Sequence, residues 1–171
     1  ETGPCGPDTE IFFDTGKPKC SENCNPSCSC GKYLEIWNNV FMQYNKTKDG
    51  KYEPLKQKNV DTGLGLERVI SLLQGKNNVY ETELFADVIA KIQELAKNFN
   101  INSARIIADH LRASIFMIID GVRPSNVEQG YVLRRLLRRV IRHMRKVEID
   151  PSEISTLVKK FVEIMAEMYP E

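Results

Sequence analysis

Residues 59–73 constrain this chain more than any other stretch, because they place two glycines directly before a helical pattern. Gly63 and Gly65 stand one residue apart at the end of a short polar segment. Glycine lets the backbone approach a ligand closely, and the start of a helix attracts anions. We therefore predict a polar turn that leads into a helix and that can hold a phosphate-bearing ligand. The helix is predicted from apolar residues at i, i+3, i+4 and i+7, namely Leu66, Val69, Ile70 and Leu73.

Two charged residues strengthen this prediction. Arg68, in the first turn of the predicted helix, offers a planar set of donors that suits phosphate, and Asp61 can hold a cation such as an amine. The residues alone leave open an ordinary junction, with Asp61 in an Asx turn or capping the helix. The segment is not a dinucleotide fingerprint, because a third glycine and a βαβ frame are absent, and no Gly-Lys-Ser/Thr follows to make a Walker loop.

The same segment resembles a known family motif. Residues 63–68, Gly-Leu-Gly-Leu-Glu-Arg, are similar to motif 3 of the class II aminoacyl-tRNA synthetases, and residues 60–68 resemble its form in the alanyl-tRNA synthetase family. The chain begins inside another motif of that family, so we expect an internal fragment without motif 1 and most of motif 2. Three further segments resemble the family in the same order: Thr2-Gly3-Pro4-Cys5-Gly6-Pro7 with Glu10-Ile11; Leu34-Glu35-Ile36-Trp37-Asn38 and residues 40–45; and Gly121-Val122, Pro124-Ser125-Asn126 and residues 130–135.

The resemblance implies an α+β fold in two parts. Residues 1–75 would be the C-terminal part of a class II antiparallel catalytic sheet, with a Cys-rich loop at residues 14–32. Residues 76–171 would begin an α-helical bundle domain that recognises the tRNA acceptor stem. The implied reaction activates alanine with ATP and Mg²⁺ and transfers it to tRNA(Ala), although we expect this segment alone to be inactive. A non-catalytic RNA-binding or regulatory module on the same scaffold is the alternative.

The resemblance also implies roles for individual residues. Asp61 and Arg68 would be catalytic, because Asp61 pairs with the amino group of alanine and Arg68 stabilises charge on the leaving pyrophosphate. From the residues alone, core packing is the favoured role for Trp37, and Cys5 fits equally well as a small buried side chain in an ordinary strand. The implied alanine-binding residues are Trp37, Asn38, Asp61, Gly63 and Gly65, and the implied ATP-binding residues are Cys5, Glu10, Glu67 and Arg68.

Four of the five cysteines follow the spacing Cys20-x3-Cys24-x3-Cys28-x-Cys30. Zinc prefers four soft ligands in a tetrahedron, so we predict a structural zinc site without a catalytic role. A cluster of thiols without metal and a redox role remain alternatives. The odd cysteine count disfavours a disulfide framework and favours a reducing compartment, the cytoplasm. No apolar run approaches the roughly 20 residues of a membrane helix.

Beyond residue 76 the pattern is helical almost throughout. We predict helices at residues 81–99, at 104–119 with Ser103 as a possible cap, at 129–146, and a fourth after residue 150. The adjacent pair Asp109 and His110 on the second of these helices is expected to be structural rather than a metal site.

Residues 123–146 contain eight Lys or Arg residues and one acid, Glu128. Such a concentration of charge repels itself unless a polyanion is near, which favours nucleic-acid phosphate as a partner. The resemblance implies that Asn126 reads the G·U pair of the acceptor stem in the RNA minor groove. A turn residue or a helix cap is the alternative for Asn126, and a zinc-dependent DNA binder is the poorest fit. The implied tRNA-binding residues are Asn126, Arg123, Arg134, Arg135, Arg138 and Arg139.

Overall fold

The computed structural model describes residues 2–170 and has an α+β fold with an antiparallel sheet and five α-helices. The chain divides between Asn77 and Asn78 into two compact units. We call the first the sheet unit and the second the helical unit. The predicted α+β class and antiparallel sheet are confirmed. No helix in residues 2–170 is long and apolar enough to cross a membrane.

The sheet unit has four strands, β1 (Gly3–Cys5), β2 (Asp8–Asp14), β3 (Tyr33–Lys46) and β4 (Tyr52–Leu64), followed by helix α1 (Leu66–Leu73). β3 is central and pairs antiparallel with the other three strands. β1 and β2 share one edge of β3, and β4 occupies the other. Gly50, with a φ of 78°, closes the turn between β3 and β4, as the Asp-Gly pair predicts.

The strand register assigns side chains to the two faces of the sheet, because residues directly opposite each other point to the same face. The first face, which we call the Asp61 face, carries Asn38 and Val40 of β3. The second, which we call the Trp37 face, carries Trp37, Asn39 and Phe41. The partners on the Asp61 face are Gly63, Asp61, Glu10 and Asp8, and those on the Trp37 face are Leu64, Thr62, Val60, Ile11 and Thr9.

The predicted polar turn before α1 is wrong. Residues 59–64 continue β4, and Leu64 still pairs with Trp37 of β3. Gly65 alone separates the strand from α1, and its backbone N–H donates to the carbonyl of Ile36 at 3.0 Å. Pairing with β3, which is distant in sequence, therefore overrides the local turn preference of a glycine-rich segment. The predicted helix at Leu66–Leu73 is confirmed.

The helical unit contains α2 (Ala86–Leu95), α3 (Ile101–Ile119), α4 (Glu128–Lys146) and α5 (Ile154–Met165), with short 3-10 turns at Val79–Glu81 and Pro151–Glu153. Asn100 caps α3 by accepting from the Ser103 backbone N–H at 2.9 Å, so the predicted cap at Ser103 is wrong. Ser103 is instead buried in the first turn. The core includes the following side chains, each at most 2% exposed: Val88, Ile92, Ile107, Leu111, Leu133, Val140, Met144, Leu157 and Phe161.

The packing of α4 predicts a sharp contrast between two neighbouring residues. Leu133 is fully buried, whereas Val132 is 49% exposed. Leu133→Ala should lower the free energy of unfolding by about 2–5 kcal/mol, because it removes buried methyl groups and leaves a cavity. Val132→Ala should change it by about 0.5 kcal/mol or less. Urea unfolding followed by circular dichroism measures both, and equal losses would contradict this account of the core.

Candidate functional sites

The Asp61 face gathers several of the predicted site residues. Asp61 lies opposite Val40, and Gly63 lies opposite Asn38. Glu10 reaches the same face from β2, again opposite Asn38. Three elements thus bring carboxylates and an amide together on a surface that is open to solvent, where an ammonium group or a divalent cation would find oxygen partners.

Val40 and Asp8 are residues of this face that the sequence analysis did not select. Asp8 lies opposite Val40 and accepts a long hydrogen bond, 3.4 Å, from the Asn38 side chain. The alternation of a strand could have found Val40, since it lies two residues from Asn38 and therefore on the same face. Asp8 could not be found in this way, because its place depends on the register between β2 and β3.

Trp37 lies on the opposite face of the sheet. Its indole N–H donates to the Thr62 hydroxyl, which in turn donates to the side-chain oxygen of Asn39 at 2.7 Å. The structure therefore does not bring Trp37 together with Asn38 and Asp61, although all three were predicted to bind alanine. Trp37 is also 39% exposed, so it is not packed into the core of the sheet unit.

Arg68 is anchored to β3 at the start of α1. Its Nη1 donates to the Glu35 backbone oxygen at 2.8 Å and lies 3.4 Å from the Glu35 carboxylate. A Cβ atom on Gly65 would lie only 3.1 Å from Cδ of Arg68, so glycine leaves the space that this side chain occupies. The guanidinium is thereby held beside the N-terminus of α1, while 46% of the side chain remains exposed.

The other two predicted ATP-binding residues lie on different elements. Glu67 is half-buried in the first turn of α1, next to Arg68. Cys5 is a half-buried thiol on β1, opposite Tyr44. The register between β3 and β4 shifts between Met42 and Tyr44, which separates Cys5 from the regular ladder of the Asp61 face. The structure thus places Arg68 and Glu67 together and Cys5 at the other end of β3.

The Cys-rich loop leaves the sheet at Asp14 and returns at Lys32. Its base is closed by Thr15, whose N–H donates to the Lys32 carbonyl at 2.8 Å and whose hydroxyl donates to the Gly31 carbonyl at 2.8 Å. The Lys32 ammonium lies 2.9 and 3.0 Å from the two carboxylate oxygens of Asp14. These contacts fix both ends of an otherwise irregular loop.

Four thiols converge inside this loop. The Sγ atoms of Cys20, Cys24 and Cys28 lie within 4.8 Å of one another, and Cys24 and Cys30 are 3.8 Å apart. Hydrogen bonds from neighbouring thiols, that of Cys24 first, raise the pKa of Cys20 to about 12. A tetrahedron with metal–sulfur bonds of about 2.3 Å has edges of about 3.8 Å, which the distance between Cys24 and Cys30 matches, while Cys20, Cys24 and Cys28 form a group of three thiols that could hold a metal ion.

One face of α4 is strongly cationic. Tyr131 and His143 lie with the basic residues along an open cleft of about 900 Å³. Glu128 is the only acid in this helix. Intrahelical ion pairs therefore cannot neutralise the face, as the sequence analysis anticipated. The exposed basic residues on α4 are Arg134, Arg135, Arg138, Arg139, Arg142, Arg145 and Lys146.

The loop before α4 presents Asn126 at the edge of this cationic face. Arg134 donates to the side-chain oxygen of Asn126. Val127 is the residue that precedes the helix, so Asn126 is not its cap. Gly130 holds the loop against the helix, because its carbonyl accepts from the Ser125 N–H at 3.0 Å and any Cβ there would collide with the Ser125 side chain. Nothing in the sequence pattern around Gly130 indicates this contact.

His143 lies beneath the cationic face, with Nδ1 at 3.1 Å from the Ser103 hydroxyl. Burial lowers the pKa of His143, and the charges of Lys146, Arg139 and Arg142 lower it further. The folded protein therefore binds this proton less readily than the unfolded chain, whose histidine has a pKa of about 6.5.

This shift predicts a pH dependence of stability. The stability associated with neutral His143 should be present above about pH 6.5 and should be lost as the pH falls through that value, because the unfolded chain then binds an additional proton. His143→Gln should flatten this loss. Urea unfolding of the parent and variant at about pH 7.5 and 5.5 tests the prediction, and an equal acid sensitivity of both proteins would contradict it.

Comparison with known proteins agrees with the motifs on these elements. The model of the family described as tRNA synthetases class II (A) matches residues 1–171. The alanine–tRNA ligase of Treponema pallidum is 54% identical over 179 residues, and that of Treponema denticola is 52% identical over 179 residues; both alignments cover 100% of this chain and 30% of the relative. The alanine–tRNA ligase of Borrelia hermsii is 53% identical over 178 residues, covering 99% of this chain and 30% of the relative.

The chain thus spans about 30% of the length of these curated relatives. The resemblance that its motifs predict is confirmed, because the family model extends over the whole sequence and not only over the glycine-rich segment. On this match, the chain belongs to the tRNA synthetases class II (A).

Proposed function

We propose that this chain is the part of an alanine–tRNA ligase that binds alanine and its adenylate on the Asp61 face and the tRNA acceptor stem on the cationic face of α4. The observation that carries the first half is the register of β3 with β4, which sets Asp61, Asn38 and Gly63 on one face. The relatives are alanine–tRNA ligases, which suggests alanine as the substrate, and the residues on this face are the groups that would bind it.

Alanine would be bound by charge and by size. The Asp61 carboxylate pairs with the α-ammonium group in a charge-assisted hydrogen bond. Val40, directly opposite Asp61, offers an apolar contact for the methyl group, and Asn38 offers an amide beside it. Trp37 is outside this pocket because it lies on the other face, so we assign it to the hydrogen-bond chain through Thr62 instead.

Gly63 gives independent support for a ligand on this face. Its φ lies outside the left-handed region that favours glycine, and a Cβ built on it would meet no atom within 4 Å. The fold therefore does not require glycine at this position. A ligand that approaches the backbone closely would require it.

ATP would lie toward α1. Arg68, held by Glu35, would bind the phosphates and stabilise the charge on the leaving pyrophosphate, with Glu67 beside it in the same turn. Glu10 would bind Mg²⁺, whereas Cys5, which lies opposite Tyr44 at the other end of β3, is left out of this proposed pocket. No nucleophilic side chain is needed, since the carboxylate of alanine attacks ATP and the tRNA hydroxyl attacks the adenylate; positioning and charge stabilisation carry both steps.

Gly63→Ala tests this site most cleanly. The variant should be made in the full-length natural protein that contains this sequence. Its kcat/KM for alanine-dependent exchange of pyrophosphate into ATP should fall roughly 10- to 100-fold, because the added methyl group displaces the substrate. Stability should change by about 0.5 kcal/mol or less. Asp61→Asn should reduce exchange further. If Gly63→Ala exchanged pyrophosphate at the normal rate, the assignment of the alanine site to this face would be wrong. If the parent protein showed no exchange, a non-catalytic RNA-binding module would be favoured.

The cationic face of α4 supports the second half of the proposal. Its exposed arginines would bind the phosphates of the acceptor stem, which positions the RNA without reading its sequence. Asn126, at the edge of the face, would read the G·U pair in the minor groove. Arg134 holds the side-chain oxygen of Asn126, so the amide nitrogen is the end that Asn126 can turn toward the RNA.

Binding to two RNA hairpins separates these roles. The parent chain should prefer an acceptor-stem hairpin with G·U over the same hairpin with G·C, and Asn126→Ala should lose about 1–3 kcal/mol of that preference. Arg138→Ala should weaken binding to both hairpins alike. It should also reduce the slope of log K against log salt concentration by about one, because one phosphate contact is lost. If the parent bound both hairpins equally well, the cationic face would be a general binding site for polyanions and Asn126 would not read the G·U pair.

We also propose that Cys20, Cys24, Cys28 and Cys30 bind a structural zinc ion. The mutual approach of Cys20, Cys24 and Cys28 within 4.8 Å, with Cys30 at 3.8 Å from Cys24, supports this, and four protein ligands would leave no position for substrate. The zinc would hold the loop on the sheet without taking part in the reaction. Free thiols in such a cluster fit a reducing compartment, the cytoplasm.

A further inference from the structure

The loop that carries Asn126 is tied to a helix on each of its sides. On the α3 side, the Val122 N–H donates to the Met117 carbonyl at 2.9 Å. On the α4 side, the Ser125 N–H donates to the Gly130 carbonyl at 3.0 Å. The backbone is therefore fixed before and after Asn126, although the Asn126 side chain is exposed.

The Ser125 side chain closes the loop around Asn126. Its hydroxyl donates to the Val127 carbonyl at 3.0 Å and accepts from the Val127 N–H at 3.3 Å. Glu128, the next residue, has a φ of 48°, which residues other than glycine rarely adopt. Such a conformation persists only where the surrounding contacts hold it. Asn126 thus lies in a segment whose neighbours on both sides are connected by one hydroxyl.

Gly130 gives this loop the space to approach α4. It is buried, whereas residues 126–129 are exposed. A Cβ atom on Gly130 would lie 2.5 Å from the Arg123 carbonyl oxygen and 2.9 Å from the Ser125 Cβ. The φ of Gly130 lies outside the left-handed region and glycine weakens a helix, so the helix itself does not call for glycine here. The close approach of the loop is the feature that requires it.

These contacts set the position of Asn126 relative to α4. The contact between Ser125 and Gly130 fixes its backbone, and Arg134 donates to its side-chain oxygen. A hydrogen bond to a base edge needs a defined distance and angle, and the short asparagine side chain cannot compensate for a displaced backbone. The long side chains of the arginines on α4 can adjust to phosphates after the same displacement.

We propose that Gly130 and Ser125 are positioning residues for RNA discrimination, because the contact between them holds Asn126 where its amide can reach one base pair. This inference rests on the role of Asn126 proposed above. Gly130 is buried and acts only through the loop. The competing explanation is that both residues merely stabilise the start of α4, in which case their loss would weaken the binding of every RNA alike.

The test compares the affinities for two acceptor-stem hairpins, one with G·U and one with G·C, at one salt concentration in the full-length natural protein that contains this sequence. Gly130→Ala should bring the ratio of the two affinities to within about twofold of one, while the affinity for the G·C hairpin stays within about threefold of that of the parent. Ser125→Ala keeps the space beside Gly130 but removes the hydroxyl, and it should lose part of the preference for G·U.

Gln129→Ala is the matched control, because it introduces the same residue at the exposed neighbouring position in the first turn of α4. It should change neither affinity by more than about twofold. Circular dichroism checks that each variant is folded, and Ser125→Ala provides a second variant where Gly130→Ala does not fold.

A double variant shows whether Gly130 acts through Asn126. In the Asn126→Ala background, Gly130→Ala should change the ratio of affinities no further, because the side chain that it positions is absent. A further change in the ratio would contradict the positioning role.

The outcomes separate this inference from the function on which it rests. A parent protein that binds both hairpins equally well would overturn the role of Asn126 and the positioning role together. A parent preference that is lost in Asn126→Ala but retained in folded Gly130→Ala and Ser125→Ala would overturn the positioning role alone. Equal weakening of both hairpins by these two variants, with the ratio retained, would establish the competing explanation.

Discussion

The pairing of β3 on both of its edges is the constraint on which the sheet unit depends. Because β1 and β2 occupy one edge and β4 the other, β3 cannot slip against one neighbour without breaking its ladder with the other. A slip of one residue would exchange the two faces of the strand. The register therefore decides that Asp61 shares a face with Asn38 and that Trp37 shares one with Asn39.

The same strand positions the neighbouring sites. At its N-terminal end, Lys32 and Tyr33 close the base of the Cys-rich loop. A few residues on, the carbonyls of Glu35 and Ile36 hold Arg68 and Gly65 at the start of α1. The thiol cluster, Arg68 and the Asp61 face thus follow one another along β3. In the proposed function, the strand is the frame that keeps these groups in a fixed relation.

Sequence patterns predicted the elements better than the contacts between them. The helices were predictable because apolar residues recur at helical spacing over many residues, as in α4. The turn at residues 59–64 was mispredicted because pairing with β3, far away in sequence, decides its conformation. The separation of Trp37 from Asn38 was within reach of sequence reasoning, since adjacent residues of a strand point to opposite faces.

Other features required three-dimensional information. Arg134 meets Asn126 only because a loop of particular shape returns to α4. Lys32 meets Asp14 across the closed base of a long loop, and no local rule pairs them. In the sequence, Gly130 looks like an ordinary glycine within a helix. Only the structure shows that the Ser125 side chain occupies the space of its missing Cβ. The charge of α4 was predictable from composition, whereas the groups that orient Asn126 were not.

The assignment of the site to the Asp61 face is the central claim, and two adjacent asparagines allow a direct test of it. In the natural protein that carries this sequence, the KM for alanine in pyrophosphate exchange should be measured for Asn38→Ala and Asn39→Ala. Asn38→Ala should raise this KM by roughly 10-fold, whereas Asn39→Ala, on the Trp37 face, should leave it nearly unchanged. The reverse result would place the alanine site on the Trp37 face and contradict the account.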